Sequence, residues 1–118
     1  EKTTRTLHHA PIDEQVFFGI RSIGGAVIEV TCRTFSGNGR PHRHALANCV
    51  QVAYSIGSRF PKTPMRCEEK EIFSHAKFFL RLGMKDIGKT LHLFTRWYNT
   101  RHPHLAGPWN NGRSVVIA

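Results

Sequence analysis

Two runs of β-branched and aromatic residues meet at Gly24-Gly25, and that meeting constrains the fold more than any other feature of the chain. Val16, Phe17, Phe18 and Ile20 come before it; Ala26, Val27, Ile28, Val30, Cys32 and Thr34 come after. A glycine pair between such runs reads as the turn of an antiparallel hairpin, because glycine reaches the positive φ that a tight turn needs. In the second run Ile28, Val30, Cys32 and Thr34 share one face, while Val27, Glu29, Thr31, Arg33 and Phe35 share the other. This is the two-residue period of a half-buried strand, and it lets Arg21, Glu29 and Arg33 reach solvent without breaking the core face.

Beyond the hairpin the period changes. Residues 36–41 (SGNGRP) are a turn cluster. Leu46, Cys49, Val50, Ala53, Ile56 and Phe60 then recur at three- and four-residue steps, which predicts an amphipathic helix over 43–60, stopped by Pro61. Thr63-Pro64 has the form of a second helix start, with Glu68, Glu69 and Glu71 in its early turns and Gly83 as its stop. A third helix is expected over 85–99, with Ile87, Leu91, Phe94 and Tyr98 on one face. The predicted fold class is therefore α+β: an N-terminal β-hairpin packed on about three amphipathic helices. Residues 1–12 read as a flexible basic arm, 13–100 as one small domain, and 101–118 as a loop-rich basic tail in which 114–117 could add one short strand.

Charge narrows the function. The 118 residues carry 17 Lys or Arg against 8 Asp or Glu, a formal charge of +9. No apolar run approaches the length of a membrane span. Cys32, Cys49 and Cys67 have no CxxC spacing and cannot all pair within one chain, so buried reduced thiols in an intracellular, reducing compartment are expected. Glu1 stands where an initiator Met would, which fits a removed leader or a longer chain, and with it a mitochondrial or other organellar matrix.

The positive charge gathers in two segments that contain no acid. The loop RTFSGNGRPHR and the residue after it hold Arg33, Arg40, His42, Arg43 and His44, a set suited to phosphates just ahead of an expected helix N-terminus. The second segment places Arg96, Trp97, Arg101, His102, His104, Trp109 and Arg113 together, mixing guanidinium groups with rings able to stack on unpaired bases. The histidines come in pairs, His8-His9, His42-x-His44 and His102-x-His104, but none has the spacing of a zinc finger or ribbon. No metal and no cofactor is expected. Gly37-Asn38-Gly39 lacks the lysine of a phosphate loop, and no GxSxG occurs.

One short resemblance rests on Phe94 to Gly107 (FTRWYNTRHPHLAG). It resembles the YN-x-x-(R/H)-P-H segment downstream of the catalytic glutamate in insertion-sequence transposases and retroviral-type integrases, and Ile12-Asp13-Glu14 loosely resembles their first catalytic strand. The chemistry of that family needs two aspartates and a following glutamate to hold metal. Asp13 and Asp86 are the only aspartates here and no glutamate follows Asp86, so no catalytic residue is carried over.

These observations point to a basic, non-enzymatic, RNA-binding component of a large ribonucleoprotein such as an organellar ribosome, with RNA favoured over DNA and neighbouring proteins as further partners. An alternative is a small histidine-dependent nuclease using His42, His44 and Arg40. A further alternative is an accessory interaction subunit of a mitochondrial complex.

Overall fold

Strands, and not α-helices, are the long regular elements of the described residues. The computed structural model describes residues 12–34 and 43–118, which form seven strands and no α-helix. These are β1 (Phe17–Ser22), β2 (Val27–Arg33), β3 (Cys49–Ile56), β4 (Glu69–Phe73), β5 (Lys77–Arg81), β6 (Thr90–Tyr98) and β7 (Arg113–Val116). They build two antiparallel sheets, one in the order β1-β2-β5 and one in the order β4-β3-β6-β7.

The α+β expectation is thus corrected to an all-β sandwich. The hairpin is present, with Phe17 opposite Arg33 and Ser22 opposite Ile28 around the Gly24-Gly25 turn. What it packs on is a second sheet, not helices. The reason is clearest in β3, the predicted first helix. Val50, Val52 and Tyr54 face the opposing sheet, while Cys49 and Ala53 are buried on the other face. A central strand covered on both sides has apolar residues at many spacings, and three- and four-residue steps can be picked out of them.

The second predicted helix dissolves in the same way. Thr63 makes no side-chain cap, and Pro64 opens only a three-residue turn ending at Arg66. Beyond it Glu69, Lys70, Glu71 and Ile72 are exposed along β4, an edge strand whose charges discourage further pairing. In β5 the alternation is strict: Phe78 and Leu80 are buried, and Lys77, Phe79 and Arg81 are exposed. The rings of Phe73 and Phe78 stack 4.1 Å apart where the chain crosses from one sheet to the other. The third predicted helix is β6. Leu91, Leu93, Thr95 and Trp97 line its inner face fully buried, and its β-branched and aromatic content suits a strand.

Between the sheets, Ile28, Val30 and Cys32 meet Val50, Val52, Leu91, Leu93 and Trp97. Each such side chain contributes about 1.5–3 kcal/mol by leaving water. The segment after residue 100 joins this core through Leu105 and Ile117, and Ile12 is pinned to it by its amide, which donates to the Leu105 carbonyl. The part of the FTRWYNTRHPHLAG segment that resembles transposases is the end of β6 and the turn after it.

Candidate functional site

The sequence assigns binding roles to residues that this fold mostly uses for itself. Trp97 is fully buried in the core, so it is no stacking platform; its indole N–H has no acceptor among the described residues. Arg96 projects from the outer face of the four-stranded sheet. Its guanidinium lies 4.5 Å from the centre of the Trp109 ring and 5.5 Å from that of Tyr98, and its Nε donates to Gln51 at 2.6 Å. Burial lowers the Arg96 pKa, and the stacked rings and amide compensate a cation that water no longer surrounds. Around this stack Ala53, Cys67 and Phe94 form a second small cluster with Trp109, and the ring of Phe60 lies against Phe94 and His92. The centre of that face is closed by the chain's own side chains.

Arg113 and its neighbour Asn110 join the two sheets. Arg113 donates from Nη1 to the Phe18 carbonyl at 2.9 Å, and Asn110 donates from Nδ2 to the Val16 carbonyl at 3.1 Å. Both carbonyls belong to β1 or its approach, the open edge of the three-stranded sheet. Arg43 likewise donates to the carbonyls of Asn48 and Ser74 and so ties two loops together. His44 faces the Glu14 carboxylate through Nε2, and its Nδ1 accepts the Leu46 amide. With both ring nitrogens engaged, His44 is not placed as a general base. Arg40 and His42 lie outside the described residues. His102 and His104 sit on the turn around Pro103–Leu105, with ring centres 6.1 Å apart, and Arg101 is exposed beside them. Among the described residues no three His, Cys, Asp or Glu gather into a metal-holding group.

Among the described residues, the outer face of the three-stranded sheet is left open. Phe17, Gly19 and Arg21 of β1, Glu29, Thr31 and Arg33 of β2, and Lys77, Phe79 and Arg81 of β5 point the same way by register. Phe17 and Phe79 are 42% and 40% exposed, well above what a ring in a core shows. Glu29 accepts from Arg21 at 2.7 Å and Lys77 at 3.3 Å. The hydrogen bond from Lys77, with Arg21 behind it, outweighs burial and holds the Glu29 carboxyl below the usual carboxylate range. One carboxylate among four cations leaves this face strongly positive. At its middle Gly19 lies opposite Thr31, and the missing side chain opens a hollow bounded by Arg21, Arg33 and Lys77.

Of the sequence-nominated residues only Arg33 belongs to this face. Alternation in the hairpin already places Phe17, Arg21 and Glu29 beside it. Lys77, Phe79 and Arg81 were hidden because a helical reading scatters them around a cylinder, whereas a strand aligns them.

No family model matches the chain, and no curated protein matches it. Solved structures do. The third fibronectin III domain of the human KIAA0343 protein superposes with a TM-score of 0.59 at 17% identity, over 93% of this chain and 85% of that one. The FN5 domain of Drosophila Lar superposes with a TM-score of 0.53 at 8% identity, over 90% and 97%. The chain therefore has a fibronectin III-like fold. These neighbours, together with the internal use of Arg43, Arg96, Trp97, Trp109 and Arg113, replace the expectation of an RNA-binding ribosomal component or a small nuclease with that of a β-sandwich domain. No helix among the described residues is long and apolar enough to cross a membrane.

Proposed function

We propose that the chain is a non-enzymatic protein-interaction domain that docks an acidic polypeptide on the outer face of its three-stranded sheet. One observation carries the reading: among the described residues, two half-exposed phenylalanines and four cations share that face with a single carboxylate. Exposed rings supply area to bury, and the surrounding cations select the partner and steer its approach. Glu29 interrupts the positive charge of the face, and together with the exposed rings it suits a chain that alternates acidic and apolar residues more than an unbroken row of phosphates. The unpaired, buried Cys32, Cys49 and Cys67 support a reducing compartment for this interaction.

The test is a titration of the isotope-labelled protein with a synthetic peptide alternating Asp or Glu with Leu, followed by amide chemical shifts. Saturable shifts at Gly19, Arg21, Thr31, Lys77 and Phe79, weakening with added salt, are the expected result. Shifts confined to other elements, or tighter binding of a single-stranded RNA on the same amides, overturn the proposal.

A further inference from the structure

The open edges of the two sheets, β1 and β7, lie side by side. At one end the chain terminus closes the gap: the Ala118 amide donates to Ser22 Oγ at 2.8 Å, and the Ala118 carbonyl accepts from the Ala26 amide. Toward the other end, between β1 with its approach and the turn that leads into β7, lies a cleft of about 440 Å³. Residues 15–19 line it on one side and residues 110–113 on the other, with Arg33 of β2 beside them. No Asp or Glu lines it among the described residues.

We propose that this cleft is a binding site for a carboxylate group, held between Arg33 and Arg113. Arginine presents planar, forked N–H donors that match a carboxylate with two parallel bonds. The Phe18 carbonyl uses one donor of Arg113, and the rest of the fork remains for a ligand. That same bond anchors the guanidinium to β1, so less side-chain freedom is lost when a ligand arrives. Asn111 and Gln15 add neutral amides able to donate to a second oxygen or accept from an adjoining N–H. Two cations with neutral donors suit the one or two charges of a carboxylate ligand, and the volume suits a short dicarboxylate or one acidic residue of an extended chain. The site adjoins the sheet face proposed for docking and shares Arg33, Phe17 and Gly19 with it, but it rests in addition on Arg113 and Asn111, which that reading does not use. Phe79→Ser tests the docking face alone.

The experiment uses the full chain, with succinate, a tetrapeptide containing two glutamates, and inorganic phosphate as separate probes, read by the amide shifts of Gly19, Asn111 and Gly112. Saturable shifts are expected with succinate or the peptide, and the tighter of the two identifies a free acid or an acidic side chain as the source. Arg113→Lys keeps a donor for the Phe18 carbonyl but loses the fork, and Arg33→Gln removes the opposite cation; each should weaken binding by about tenfold. Lys85→Gln, an equal loss of charge outside the cleft, should change it less than about twofold. No saturable shift with either carboxylate, or phosphate binding as tightly and equally in all three variants, overturns the proposal.

Discussion

Asn110 does more local work than its size suggests. It is buried, its Oδ1 accepts the amides of Thr95 and Gly112, and its Nδ2 donates to Thr95 Oγ1 and the Val16 carbonyl. Replacing it by alanine strands several buried groups at once. Asn110→Ala is expected to cost about 2–4 kcal/mol in urea unfolding, since each orphaned buried group costs roughly 1–3 kcal/mol. Gly112 beside it has φ +81, and a Cβ there would fall 2.7 Å from the Phe94 ring. The sequence reads this stretch as part of a loop-rich tail; that Asn110 joins the sheets depends on Val16, 94 residues back in sequence, which no local pattern reveals. The same holds for the two tryptophans. Both looked like stacking residues, yet Trp97 faces the core and Trp109 covers Arg96, a difference set by which face of β6 each meets.

Glu29 gives the residue scale a pH dependence. Its folded carboxyl titrates below the ordinary value of 4.5, so the stabilisation from Lys77 and Arg21 is complete above that value and is lost as the pH falls through the lower, folded one. Stability measured by urea unfolding from pH 6 down to about pH 2 should therefore fall less steeply in Glu29→Gln than in the parent protein. Equal slopes would show that the carboxylate gains nothing from its two partners.

At the level of elements, the hairpin was readable because β2 alternates cleanly, with one apolar face and one polar. The other strands were not. β3 is buried on both faces at its centre, and β6 covers His92 and Phe94 on its outer side while burying Leu91, Leu93, Thr95 and Trp97 inside. Period two disappears from a strand with no solvent face. In β5 it survives, but five residues are too few to outvote the apolar residues of β4 just before them. The distinction between faces predicts opposite responses to truncation. Leu93→Ala, in the core, should cost about 2–5 kcal/mol. Phe79→Ser, on the open face, should change stability by less than about 1 kcal/mol, and thermal or urea unfolding of both variants would decide it.

For the whole molecule, the excess of positive charge acquires a meaning that composition alone did not supply. Several of the basic residues that looked like phosphate ligands are engaged by the chain's own groups, Arg43 by two loop carbonyls and Arg96 by Gln51 and two rings. The docking partner meets a sheet face whose rings and cations come from the β1-β2 hairpin and from β5, far along the sequence. Such a face resists loss by local disorder, because both neighbours of β2 hold it in register. The central claim is that this face recognises acidic polypeptide by charge and apolar contact together. A charge exchange tests it most directly: Lys77→Glu with Arg81→Glu, measured by calorimetry against the Asp/Glu–Leu peptide and against its counterpart with lysine in place of every acid. The account predicts at least about a tenfold loss of affinity for the acidic peptide and new binding of the lysine peptide, about 1.4 kcal/mol per decade. Unchanged affinity for the acidic peptide would contradict it.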